Sequence, residues 1–121
     1  IFKDNKIFGA GLKNFRAVSY KKEYNLVEEA IRGGSTHPHQ IHFEILSETG
    51  LVGYILTFGM LIYFMVKGLN NFVKSKNILN LSAFIFVLAT ILPIIPSGSF
   101  FTSYTATLFW INFSFLLKKK F

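Results

Sequence analysis

The sequence predicts an all-α membrane protein, with an outer loop of short amphipathic helices over residues 1–50 and three transmembrane helices within residues 51–121. Three observations predict it. The charges divide unevenly: residues 1–50 carry seven basic and six acidic side chains, whereas residues 51–121 carry six lysines and no acid. The second part contains three stretches without a charged side chain, Leu51 to Val66, Ile78 to Ile95 and Phe100 to Leu117. The lysines cluster between the first and second stretch and after the third. A mean hydropathy of +0.43, with 51% hydrophobic residues and 15 Phe, is more apolar than a soluble domain of 121 residues needs, and it excludes a disordered or collagen-like chain. So short a chain has too little material to bury three all-round apolar helices from water. The absence of cysteine excludes a disulfide framework, a Cys-based zinc site and a thiol nucleophile. The first residue is Ile1 rather than Met, so the expectation is the C-terminal piece of a longer protein.

The elements follow in order. Ile7 to Arg16 reads as a turn-rich lead-in around Gly9 and Gly11, and Gly9-x-Gly11 lacks the third glycine of a dinucleotide fingerprint. A short helix is expected from Asn25, a capping residue with Glu28 three positions on. Leu26, Ala30 and Ile31 recur at helical spacing until Gly33-Gly34, and Arg32 sits at the C-terminal end. A second helix is expected from near Pro38 to Gly50, with Ile41, Ile45 and Leu46 as its apolar stripe on the membrane surface and His39 in its first turn. Gly50 then lets the chain turn into the first span.

The spans are placed at about 51–67, 78–95 and 100–117, each roughly 24 to 27 Å long, with lysine snorkelling covering the rest of the hydrocarbon core. Pro93 and Pro96 should end or kink the second span. A polar face of the third (Thr102, Ser103, Tyr104, Thr105, Thr107, Asn112, Ser114) is expected to pack against other helices, with Phe100, Phe101, Tyr104 and Trp110 at the interface or facing lipid. Lys67, Lys74 and Lys76 in the first connection and Lys118 to Lys120 at the C-terminus are then cytoplasmic, and residues 1–50 lie outside. Three lysines at a membrane exit are topological anchors, and no nucleic-acid partner is expected.

The chemistry concentrates in residues 36–50, which hold all three histidines, His37, His39 and His42. Zinc coordination by the three is disfavoured, because His37 and His39 flank Pro38 and the spacing to His42 is not a tight ligand pattern. Glu44 and Glu48 point to other phases of the helix, so no metal is expected. A single histidine acting as general base uses the imidazole better, since its ordinary pKa suits proton abstraction near neutrality. Histidines merely favoured at a wet interface are the plainer reading.

His39-Gln40, nine residues and then Gly50-x-x-Gly53 resemble the signature of the O-antigen ligases and related O-antigen polymerases, a His-(Asn/Ser/Gln) pair followed at that distance by Gly-x-x-(Gly/Thr/Tyr). His37 to Ile41, Leu46 to Gly53 and the upstream Phe8 to Phe15 resemble that family's phrasing, with Gln40 in place of the commoner Asn. The resemblance implies a multi-pass enzyme of the bacterial inner membrane with about a dozen spans, of which this chain is the last third, and an active site on the periplasmic face, so that residues 1–50 end a periplasmic loop. It implies transfer of a glycan from an undecaprenyl diphosphate carrier to an acceptor hydroxyl, either lipid A core or a lipid-linked glycan, with no cofactor. Ligase, polymerase and protein glycosylase stay open. The resemblance makes His39 the base and Gly50 and Gly53 the motif glycines. Arg16, Arg32, Gln40 and His37 become candidates for contact with diphosphate or glycan, because arginine forks match phosphate oxygens. The family's main diphosphate-binding arginines lie upstream, so the piece alone is expected to be inactive. The alternative is a non-enzymatic membrane subunit whose histidine-rich loop binds a metal or a partner.

Overall fold

A computed structural model describes residues 1–21, 23, 38–93 and 98–117. Among them every regular element is helical: α1 (Phe15–Ser19), α2 (Ile41–Ser75), α3 (Ile78–Ile91) and α4 (Ser103–Leu117). The helix expected from Asn25, with Arg32 and His37, lies outside the described residues.

α2 is two helices joined at a kink. Gly50, at φ 67° and ψ −169°, separates a short arm, 41–49, from a long arm, 51–75. The short arm starts at Ile41 rather than near Pro38, because Gln40 is its N-cap: the side-chain oxygen accepts the Phe43 N–H at 2.9 Å. His39 therefore precedes the helix and is not in its first turn.

The long arm runs past its expected end at residue 67 to Ser75, taking Lys67 and Lys74 into the helix. A lysine is a good helix former, and polarity alone is no stop signal. The stop comes at Lys76, a left-handed C-cap (φ 52°) whose N–H donates to the Phe72 carbonyl at 2.7 Å. Asn77 caps α3 by accepting the Leu79 N–H, so the connection shrinks to two residues. α3 ends at Ile91 rather than Ile95. Leu92 precedes Pro93 and adopts ψ 131°, as the clash of a proline ring with the preceding residue demands. α4 begins at Ser103, three residues later than expected, since the Phe100 N–H is drawn to Glu44.

α2, α3 and α4 pack as a bundle with the short arm laid across one end. The seam repeats at helical spacing: Phe58, Leu61 and Met65 from α2, Ala83, Val87 and Ile91 from α3, Phe109, Phe113 and Leu116 from α4, and Ile41 and Ile45 from the short arm. Aromatic edges fill it, with Phe100 against Phe109 and Phe64 against Phe113. Phe100 is thus a core residue and not a lipid-facing one. Nor does α4 pack through its polar face: Asn112 and Ser114 donate to the carbonyls of Leu108 and Ile111 in their own helix, and the aromatics do the packing.

Phe64 meets Phe113 and, one turn further along both helices, Gly68 of α2 lies against Leu116 of α4, so these two helices run parallel. The lysine end of the bundle, with Lys67, Lys74 and Lys76, is consequently opposite the end that carries Gln40, Pro93 and Phe100. α2 is long and apolar enough to cross a membrane, and the long arm measures about 37 Å. α3 and α4, with 14 and 15 residues, are shorter apolar helices.

Candidate functional site

The site grows from the helix break. At Gly50 the last carbonyls of the short arm and the first N–H groups of the long arm lose their partners within the helix. The segment 6–11 supplies them. The N–H groups of Ala10 and Gly11 donate to Ser47 O (2.8 Å) and Glu48 O (2.9 Å), and those of Leu51 and Val52 donate to Lys6 O (2.8 Å) and Ile7 O (3.2 Å). This splice requires two backbones to cross in contact. A Cβ on Gly9 (φ 71°) would stand 2.5 Å from Gly50 N and closer still to the Glu48 carbonyl, and one on Gly50 would be as close to Gly9 N and would strike the Ile7 carbonyl. Gly9 and Gly50 form one structural feature. Gly53 has a different task, leaving room for Thr49, whose hydroxyl donates to Ile45 O at 2.7 Å.

Two buried carboxylates hold the short arm. Ile41, Glu44, Ile45 and Glu48 occupy one helical face, so both acids point inward, and both are met chiefly by backbone donors. Glu48 accepts the N–H groups of Lys13 (2.6 Å) and Phe15 (3.4 Å), fixing the turn that leads into α1. Burial pushes the Glu48 carboxyl above its ordinary 4.5, with the charge of Glu44 adding to the rise. The N–H groups of Lys13 and Phe15 and the Lys13 charge oppose it. Glu44 accepts the Phe100 N–H at 2.6 Å and the Ser99 hydroxyl, which ties the start of α4 to the arm.

His42 is a structural residue. Its Nε2 lies 2.7 Å from Ile91 O and its Nδ1 2.8 Å from the Tyr54 hydroxyl, and the ring stacks on Phe58 at 4.4 Å. A carbonyl can only accept, so neutral His42 carries its proton on Nε2 and accepts from Tyr54 at Nδ1. Gln40 caps the arm with its oxygen and donates from Nε2 to Pro93 O at 3.3 Å, anchoring the arm to the end of α3.

His39 is exposed and sits one residue before that cap in a left-handed conformation, φ 54°. Such a backbone is uncommon for a non-glycine residue. Arg16 is exposed on α1, which the Glu48 contacts fasten at the opposite end of an arm about 13 Å long. The structure therefore brings Gly50 together with the Gly9 lead-in, and Gln40 and His42 with the end of α3. It places His39 and Arg16 at the two ends of one element. Among the described residues no three His, Asp or Glu side chains converge as a metal site. His42, Glu44 and Glu48 already spend their polar atoms on other partners.

Sequence reasoning missed Glu44, Glu48, Tyr54 and Ser99. A signal existed for the acids: positions 41, 44, 45 and 48 follow the i, i+3, i+4, i+7 spacing of a buried stripe, so an inward face necessarily includes both carboxylates. Tyr54 and Ser99 gave none, being paired only by tertiary contact. No protein-family model, no characterised protein and no solved structure matches this chain.

Proposed function

We propose that the chain is the C-terminal part of an integral membrane glycosyltransferase of the O-antigen ligase or polymerase kind. It transfers a glycan from undecaprenyl diphosphate to an acceptor hydroxyl, with His39 as general base. The observation that carries this reading is the contrast between two histidines three residues apart. His42 is locked into the bundle through both ring nitrogens, whereas His39 is exposed on a left-handed turn fixed by the Gln40 cap. In the reaction His39 takes the proton of the acceptor hydroxyl as that oxygen attacks the anomeric carbon, and the bond from that carbon to the diphosphate breaks. Arg16 meets the charge on the departing diphosphate, with Arg32 and His37 as further contacts. Gln40 serves by holding the His39 turn. No cofactor is needed when fixed positive charge receives the leaving group.

The membrane setting rests on α2. Only 22% of its most apolar window is buried in the bundle, and Leu51, Ile55, Leu56, Ile62, Tyr63 and Val66 are exposed along it. A core helix of a water-soluble domain would be covered. With the lysine end cytoplasmic, the His39 end faces the periplasm of the bacterial inner membrane, and α3 and α4 complete a multi-pass tail.

The test is transfer by the full-length protein in membranes. His39→Ala should lower it on the order of 10²-fold or more, as loss of a general base does, with the protein still present. Transfer near wild-type level in that variant would sink the base assignment, whereas no transfer by the wild-type protein would leave the non-enzymatic subunit standing. Labelling of a cysteine at position 21 by an impermeant reagent should occur in intact cells after outer-membrane permeabilisation; labelling only once the inner membrane is also opened would refute the topology.

A further inference from the structure

Segment 6–12 carries large apolar side chains that nothing in the bundle covers. Ile7 is 61%, Phe8 77% and Leu12 65% exposed, in a stretch without helix or strand. Exposed cations alternate with them, Lys6 and Lys13 beside the apolar residues and Lys3, Arg16 and Lys21 around them, whereas Asp4 is the sole acid of residues 1–21. The splice at Gly50 fixes where this stretch lies. The carbonyls of Lys6 and Ile7 accept the first N–H groups of the long arm, so Ile7 and Phe8 are level with Leu51 and Val52, where the exposed apolar flank of the arm begins.

We infer that residues 6–13 form an interfacial anchor for an anionic lipid surface. Ile7, Phe8 and Leu12 enter the boundary between headgroups and acyl chains beside the first turn of the long arm, and Lys6 and Lys13 meet lipid phosphates. The inference rests on the membrane reading of α2 and adds to it a lipid contact for the loop. Two facts favour lipid over a protein partner. The apolar residues continue a flank already open to the bilayer, and a protein covering them would have to bury the interleaved charges of Lys6 and Lys13, which are exposed here. Apolar side chains with flanking cations suit the interface of an anionic leaflet, where each basic residue near the surface gains roughly 1 kcal/mol.

The lone tryptophan, Trp110, is 42% exposed on α4 and provides an internal reference. The chain is reconstituted in vesicles of phosphatidylglycerol and phosphatidylcholine, the latter brominated either high on the acyl chain or near its end. Wild type is compared with Trp110→Phe carrying Phe8→Trp, and with Trp110→Phe carrying Leu12→Trp. Trp110 should be quenched. A tryptophan at position 8 or 12 should be quenched at least about twofold more by the high bromines than by the terminal ones, as a depth of roughly 5–10 Å requires. Replacing phosphatidylglycerol by phosphatidylcholine, or Lys6 and Lys13 by Gln, should weaken that quenching. Quenching at Trp110 with none at positions 8 and 12 would overturn the anchor and leave the membrane reading intact. No quenching at Trp110 would remove both. Quenching at positions 8 and 12 that ignores lipid charge would overturn the phosphate contacts.

Discussion

Replacing Gly9 with alanine tests the crossing that organises the site. The new Cβ would stand 2.5 Å from Gly50 N and nearer to the Glu48 carbonyl, and all these atoms belong to backbone that cannot swing aside. The segment must retreat, and the four hydrogen bonds of the splice go with it. At about 0.5–1.5 kcal/mol each, with about 1–2 kcal/mol for an alanine held at positive φ, the loss is roughly 3 to 8 kcal/mol. Since about 1.4 kcal/mol is a factor of ten, local opening at Ala10, Gly11, Leu51 and Val52 should rise by at least about a hundredfold.

Hydrogen exchange read by mass spectrometry on the chain in nanodiscs measures this directly. Two further glycines calibrate it. Gly11 also has positive φ (98°), yet a Cβ there meets nothing nearer than 3.7 Å, so Gly11→Ala should cost only the conformational strain, about 1–2 kcal/mol. Gly59 is helical with open space around it, and Gly59→Ala should leave the segment unchanged. Exchange in Gly9→Ala equal to wild type, or greater disruption in Gly11→Ala, would refute the crossing.

Glu48 gives a pH dependence of definite sign. Its folded pKa lies above 4.5, so between 4.5 and that value the folded form binds more protons than the unfolded one, and stability of the 6–15 tether falls as pH rises through that window. Glu48→Gln should flatten the profile in the same exchange measurement, and an unchanged slope would place the titrating group elsewhere. His42→Ala should destabilise the bundle by about 2–5 kcal/mol, since it strips a carbonyl and a hydroxyl of their partner and removes a ring from Phe58. Thermal unfolding in detergent should show the loss in His42→Ala. Under the proposed reaction, transfer by the full-length protein should survive excess EDTA, and Arg16→Lys should lower it because lysine cannot make a forked contact with phosphate. Activity lost in EDTA and restored by zinc or magnesium, or full activity in Arg16→Lys, would count against those two roles respectively.

The helical class and the long apolar helix were legible because an acid-free stretch of that length has few other solutions. Gly50 was legible as a stop, since glycine at the end of an amphipathic pattern accommodates a left-handed backbone. That the same glycine lies against Gly9, some forty positions away, was not, because local pattern carries no information about which backbone will cross it. Helix ends shifted for local reasons. Lys67 and Lys74 looked like a connection and proved compatible with helix, whereas Pro93 stopped α3 earlier than hydropathy alone suggested. Glu44 and Glu48 were not legible as anchors: weighed only as ligands beside the histidines, they fall on other phases of the helix, whereas their spacing from Ile41 and Ile45 puts them on the buried face.

Those two acids explain why so short an arm can hold a defined position. A helix of two and a half turns has little stability of its own, and this one must keep an exposed histidine in a conformation that costs of order 1 kcal/mol or more. It is pinned at four levels: Gln40 to Pro93, His42 to Ile91 and Tyr54, Glu44 to Ser99 and Phe100, and Glu48 to Lys13 and Phe15. Hydrogen bonds to a carboxylate are stronger than neutral ones, and backbone N–H donors, unlike lysine side chains, have no rotamers to immobilise. The pins reach the end of α3, the long arm, the start of α4 and the segment that leads into α1, so a shift of the arm along its axis must break several at once. The turn at His39 inherits that rigidity through the Gln40 cap. This separates two tests that would otherwise look alike: Gln40→Ala should loosen the turn and reduce transfer with the imidazole still in place, while His39→Ala should abolish it with every pin intact.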